Sequence, residues 1–273
     1  MSVGTAMAPL PPPPASQPAL SAWRDLVMPR EHGSWSLALE PLALGLLVAP
    51  SPAGALLAPA VVAAFFARRP LRIAGSDGSA VRRAAARRAV FVCGAVAGVF
   101  FLAAVALGGL AWTRWLAPSA VAGAVFLAFD LRRGGREEPA EIAGSAAFAF
   151  LPVAFATAAG WPTPAALAVG LVMLGRSVPT VMTVRACLRR AKTGIARPTP
   201  ALAAAALAFA AAGVLAGLRL VPVTAAVLLG LLAVRSGVLL VFPRPEFRAR
   251  TLGMTEAAIG GCFIFCAAAA WRL

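Results

Sequence analysis

Apolar residues fall into nine long runs, near 34–49, 54–67, 89–111, 116–130, 140–159, 164–184, 200–217, 221–242 and 251–271. Several reach the roughly 20 residues that carry an α-helix across a bilayer. The first, second and fourth are shorter, which leaves a count of eight to ten. A backbone in lipid must satisfy its own polar groups, so the runs are predicted to be helices. Alternating ten-residue strands, the mark of a membrane barrel, are absent from the pattern. The expected fold is all-α: a polytopic transmembrane helical bundle of about nine helices over residues 23–273, closed by cytoplasmic hairpin loops. Residues 1–22 hold four consecutive prolines and almost no charge. They read as a disordered Pro-rich N-terminal tail. A secretory signal would need a basic start and a proline-free apolar stretch.

Polar residues sharpen this picture. Basic residues concentrate in every second connection: "ARRPLRIAGSDGSAVRRAAARR", "DLRRGGREEPAE", "VRACLRRAKTGIARP" and "PRPEFRAR". The intervening connections carry only Arg114 and Arg219. The positive-inside rule then makes the basic connections and the N terminus cytoplasmic, and the C terminus extracytoplasmic. Composition agrees with a multi-pass protein of the cell membrane. Hydrophobic residues make up 60% and charged residues 13%, against about 25% charged in soluble domains. The formal charge of +15 reads as a topology signal and an attraction to anionic membrane lipids. No nucleic-acid motif accompanies the scattered arginines. One lysine against twenty-four arginines suggests a GC-rich bacterial genome and a bacterial inner membrane.

Four cysteines do not make a disulfide framework. Cys93 and Cys187 fall toward the reducing side. Cys262 and Cys266 share a helix face without nearby histidines, so core packing is expected rather than a metal site. No metal or cofactor is expected. Gly94 with Gly98 and Gly213 with Gly217 form small-xxx-small pairs, which predict close helix packing.

The candidate chemistry lies in four ionisable residues inside apolar runs. At about 1.5 Å per residue, Glu40 lies roughly 15 Å in from Arg30, and Arg176 roughly 13 Å in from Arg185. Arg235 lies roughly 12 Å in from Pro243, and Glu256 roughly 9 Å in from Arg250. All four depths are reckoned from the same side, so two acids and two bases share one layer. A lone charge at mid-bilayer costs about 2.5 kcal/mol or more, so these residues are expected to face the bundle interior and pair. Two readings stay open: structural ion pairs, or a cytoplasm-facing cavity whose arginines grip an anionic group. His32, Ser36 and Glu40 follow at i+4 and descend one helix face toward that layer. The chain's one histidine suits proton transfer near neutral pH, or an interfacial hydrogen bond. Trp35 suits the headgroup level, and Pro41 predicts a kink. On the sixth run Arg176, Thr180, Val184 and Arg185 share a side, with Arg189 and Arg190 beyond. Asp130, Glu137, Glu138 and Glu141 against Arg132, Arg133 and Arg136 read as a salt-bridged surface turn. Glu141 opens the next helix, where its charge suits the N-terminal dipole.

"PREHGSWSLALEPLALGLL" resembles the N-terminal signature of the YwiC-like family of bacterial membrane proteins. "FFARRPLRIA", "REEPAEIAGSAAFAF" and "VPTVMTVRACLRR" are similar to internal segments of that family, over residues 28–271. Carried over by position, the resemblance points to His32, Gly33, Trp35, Pro41, Arg69, Pro70, Arg136, Glu141 and Arg185. Glu40 has no place in that pattern. The resemblance implies a membrane protein and carries no reaction with it. The helix layout is also similar to UbiA-type intramembrane prenyltransferases. Those hold Mg²⁺-diphosphate on aspartate-rich motifs after the second and sixth helices. Here the first of these connections has only Asp77, the second has no acid, and the chain contains no asparagine. The Mg²⁺ ligands are missing at those places.

Two function classes follow: a membrane-embedded binder or enzyme for an anionic or isoprenoid lipid, and a transporter of a small anion or proton-coupled solute. A transporter must open on both sides. The outer half carries almost no polar residue, which favours the one-sided cavity. Alkaline phosphatase fused at the C terminus should be active in a bacterial host, and the same fusion at Gly194 inactive. The reverse pattern would overturn the predicted orientation.

Overall fold

The computed structural model describes residues 19–28, 32–132, 137–195, 197–242 and 249–272. The described residues are helical throughout, joined by short turns. The elements are α1 (Ala19–Val27), α2 (His32–Val48), α3 (Pro52–Ala74), α4 (Ala80–Gly108), α5 (Leu116–Leu131), α6 (Glu138–Ala149), α7 (Leu151–Ala158), α8 (Thr163–Thr193), α9 (Thr199–Gly217), α10 (Val223–Val241) and α11 (Ala249–Arg272). A 3₁₀ turn, Thr113–Trp115, leads into α5. Among the described residues eight segments are long and apolar enough to cross a membrane, α6 and α7 counting as one, and Ala38–Val48 is a shorter apolar helix. The chain is a multi-pass membrane protein. Helix α1 begins at Ala19, inside the segment expected as tail. Residues 1–18 lie outside the described ones.

Local chemistry sets several boundaries. Ser51 accepts a hydrogen bond from the Gly54 backbone N–H at 3.0 Å, with Pro52 opening α3. This satisfies one of the donors that every helix start leaves open. Gly194 closes α8 at φ 72°, a left-handed conformation in which it has no Cβ to clash. Pro152 at the start of α7 has no N–H to continue the α6 ladder, so one membrane span is built from two helices.

Helix α8 is the axis of the bundle. Its apolar window is 56% buried, whereas that of Thr113–Leu131 is only 6% buried. One core cluster gathers Leu44, Val169, Met173, Leu229 and Phe263 from α2, α8, α10 and α11. A second centres on Leu57, Trp112, Leu151 and Phe155. Phe155 is fully buried and lies against Gly45 and Gly54, where a larger residue would meet its ring.

Side-chain bonds fix which helix ends meet. Arg69 donates to the Met28 carbonyl, Arg189 to Glu138, and Arg190 to the Leu240 carbonyl. The basic segments therefore gather at one end of the bundle. At the other end Arg272 donates to the Leu47 carbonyl at 3.1 Å.

Three expectations are corrected. The long basic connections are mostly helix: α3 runs to Ala74 and α4 starts at Ala80, so Arg68, Arg69 and Arg72 sit on the last two turns of α3. Their apolar stems suit that interfacial position, so the charges do not end the helix. The glycine pairs do not mark close packing, because a Cβ at Gly94, Gly98, Gly213 or Gly217 would meet nothing within 4 Å. Cys262 and Cys266 are exposed rather than packed in the core. The inward face of α11 is instead Glu256, Gly260, Phe263, Ile264 and Ala267, at the i, i+4, i+7, i+8 spacing.

Gly45→Ala would place a Cβ 2.8 Å from the Phe155 ring, so it should lower stability by about 1–3 kcal/mol as an overpacked site does. Gly213→Ala should leave the thermal midpoint in detergent unchanged or raise it. Equal effects of the two would contradict this packing.

Candidate functional site

The four charges of the apolar runs meet. Glu40 comes from α2, Arg176 from α8, Arg235 from α10 and Glu256 from α11. Arg176 Nη2 lies 3.5 Å from Glu40 Oε2, and their side chains are only 2% and 11% exposed. The same Nη2 donates to the backbone carbonyl of Glu256 at 3.2 Å. Nη1 donates to Thr180 Oγ1 at 2.5 Å, and Thr180 returns a bond to the Arg176 carbonyl. Arg235 Nη2 stands 2.6 Å from Glu256 Oε1. That contact is an ion pair off the hydrogen-bond direction: among the described residues neither Glu256 carboxylate oxygen has an aligned donor. Beside it, Thr183 donates to Ser236 at 3.1 Å in the buried seam of α8 and α10.

Gly260 makes this junction possible. A Cβ at that position would collide with the Glu40 carboxylate and stand 2.8 Å from Arg176 Nη2. No other residue type leaves that space on α11.

A cavity of about 660 Å³ opens beside the junction, between α3, α5, α6, α8 and α11. The volume lies in the range of about 300–1,000 Å³ usual for small-molecule sites. Its wall is mainly apolar, with Phe65, Phe126, Phe148 and Leu151 among the larger side chains. Glu40, Arg176, Glu256, Thr180, Arg68 and Glu141 are among its ionisable and hydroxyl contributors. Arg235 reaches Glu256 without lining the cavity.

The other sequence-predicted residues are distributed around this site. Arg185 pairs with Glu141 at 2.7 Å, on the α8–α6 side and apart from the four-charge junction. Trp35 packs edge-on against Phe65 and Phe66 of α3, at 6.0 and 5.5 Å between centroids. Pro41 and Pro70 are buried inside α2 and α3, and both helices run on through them. Arg69 holds the Met28 carbonyl. The backbone of His32, Gly33 and Ser36 is helical, while the His32 and Ser36 side chains lie outside the described ones. Arg136 lies outside the described residues.

The surface-turn reading of Asp130 is corrected. Its side chain is 3% exposed and takes Arg68 Nε at 3.1 Å, Arg68 Nη2 at 3.3 Å and Arg72 Nη1 at 3.5 Å. Arg68 also lies over the Phe126 ring, 4.3 Å from its centroid. This clasp between α3 and α5 is missed by a reading that ends the helices at the first charge. The i+4 pairs Arg68/Arg72 and Phe126/Asp130 are the signal that marks it. Glu138 pairs not with its own connection but with Arg189 of α8 at 2.8 Å. That pair is half exposed and worth about 0–1 kcal/mol.

Among the described residues no group of three His, Cys, Asp or Glu side chains is placed to hold a metal ion. Together the helices and the site define a multi-pass membrane protein with a charge-bearing cavity inside its bundle. The YwiC-like protein family model matches residues 28–156, so this segment is similar to that family. The matched segment contains the Trp35 motif, Arg69–Pro70, Arg136 and Glu141; Arg185 lies beyond it. No curated protein and no solved structure matches the chain, and the looser likeness to UbiA-type enzymes is not borne out.

Removing one member of a buried pair leaves its partner's charge uncompensated. Glu40→Gln should cost about 3 kcal/mol on that ground, and adding Arg176→Gln should recover part of the loss. Stability of the single and double variants in mixed micelles measures this. Strictly additive losses would mean that the two side chains are not coupled.

Proposed function

We propose that the chain binds an amphiphile, an anionic or isoprenoid lipid, in the cavity between α3, α5, α6 and α8. The observation that carries this reading is the make-up of the cavity wall. An apolar surface suits an acyl or isoprenoid chain, and the few charged groups among the lining residues suit a polar head. The chain would enter from the bilayer, because the segment forming one wall, Thr113–Leu131, buries little of itself against the rest of the bundle. The head would face the end where the basic segments gather. The protein would lie in a bacterial inner membrane with that end and the N terminus in the cytoplasm and the C terminus outside. The gathering of basic residues at one end supports this orientation.

Within this reading the four-charge junction forms the inner floor of the site. Arg176 has Glu40, Thr180 and the Glu256 carbonyl as partners, so it serves as a fixed dipolar surface rather than as a vacant anion receptor. Glu256 lines the same space, while its carboxylate oxygens are buried and have no aligned donor among the described residues.

Gly123 lines the cavity, and the nearest atom to a Cβ placed there is Ala147 Cβ at 3.9 Å. Gly123→Phe should fill the cavity without touching any ion pair. Native mass spectrometry of the purified full chain should find a retained amphiphile on the wild type and its loss in Gly123→Phe. Equal retention by both, or no retained amphiphile on either, would sink the reading.

A further inference from the structure

We infer that the anionic head of the bound molecule is recognised by Arg68 and Arg72 at the α3–α5 clasp, and not by the arginines of the inner junction. The inference deepens the proposed amphiphile site and rests on it. The first ground is charge balance. At the inner junction Arg176 and Arg235 face Glu40 and Glu256, two bases against two acids. Arg185 is matched by Glu141. At the clasp two guanidinium groups share the single carboxylate of Asp130. Among the described residues one positive charge there has no carboxylate of its own, beside a cavity in a low-dielectric bundle. An anion entering the cavity gains most at that point.

The second ground is geometry. Asp130 takes Nε and Nη2 of Arg68, which leaves Nη1 as the part of the fork not engaged by Asp130. The face of the same guanidinium rests on Phe126, one turn before Asp130 on α5. Arg68 is therefore held from the edge by a nearly buried carboxylate and from below by an aromatic ring. Both holders stand on one helix face, and both Arg68 and Phe126 line the cavity. A guanidinium immobilised in this way loses little freedom when it binds an oxyanion. Arg72, one turn on from Arg68, does not itself line the cavity, and its half-exposed side chain reaches the same carboxylate. A headgroup can take it over from Asp130 without stripping the carboxylate of Arg68.

The shared chemistry is an oxyanion, from a lipid head or from a free anion such as phosphate, and three probes separate these sources. The full chain in detergent is titrated with dodecyl phosphate, dodecanol and inorganic phosphate, and bound molecules are counted by native mass spectrometry. Dodecyl phosphate should bind at least tenfold more tightly than dodecanol, and inorganic phosphate should not be retained. Arg72→Gln leaves Asp130 paired with Arg68. It should fold normally, cut dodecyl phosphate binding about tenfold and leave dodecanol unchanged. Arg68→Gln alone strands a buried carboxylate, so the double variant Arg68→Gln/Asp130→Asn is used; it should bind the phosphate and the alcohol alike. An undiminished preference for the phosphate in Arg72→Gln and in the double variant would overturn the assignment while leaving the cavity reading intact. Retention of inorganic phosphate as strong as that of dodecyl phosphate would overturn the headgroup assignment in favour of a small-anion site. No binding of either amphiphile by the wild type would overturn both.

Discussion

The architecture turns on one requirement: a charge drawn into the apolar bundle must meet its opposite there. Arg176 sits at the centre of the most buried of the candidate membrane spans, and its side chain is almost wholly inaccessible. In a medium of low dielectric such a group is untenable alone. The Glu40 carboxylate of α2 compensates it, and it reaches only because α11 presents Gly260 at the crossing. Three helices distant in sequence are thereby held in a single rotation about their axes. If α11 turned by one residue, about 100°, Gly260 would leave the crossing and a side chain would replace it. The ion pair thus acts less as a source of net stability than as a selector among ways of packing nearly featureless apolar helices. That is consistent with the modest net worth of buried pairs against their large cost when broken.

The two charged regions differ in kind. At the inner junction acids and bases cancel, and the guanidinium of Arg176 is engaged by a carboxylate, a hydroxyl and a carbonyl. At the α3–α5 clasp two arginines share one acid. The first arrangement has little to offer an incoming anion, because its two bases already face two acids. The second can accept an anion while Asp130 keeps a partner. Depth in the membrane and readiness to bind therefore run in opposite directions here.

The sequence reveals the helices and their alternation, because membrane spans are long apolar runs and basic residues punctuate them. It also reveals the common depth of Glu40, Arg176, Arg235 and Glu256, since depth follows from counting residues along a helix. Rotation is a different matter. Whether a residue faces a neighbouring helix or lipid depends on angles that apolar composition barely encodes, as both are apolar in a membrane. For that reason Gly213 and Gly217 look like a packing motif and face open space, while Gly260, with no partner at i+4, makes the decisive close approach. Cys262 and Cys266 fall to the same ambiguity. Asp130 illustrates the other blind spot. A charge at the end of an apolar run reads as the start of a loop, although here it stands buried on the last turn of α5 and its partners stand on α3.

The uneven burial of the helices completes the argument. Helix α8 is fixed by apolar contacts on most sides, so its side chains have little freedom to answer a ligand. Helix α5 has one buried residue, and that residue is Asp130. The wall it forms is therefore tied to α3 at its basic end by charge more than by apolar packing. Electrostatic ties respond to other charges, whereas apolar packing does not. The element best able to register what enters the cavity is accordingly the one the hydrophobic effect holds least. Framework and responsive wall are thus separate parts of the same bundle, α8 with α2 and α11 serving as the first and α5 with the end of α3 as the second.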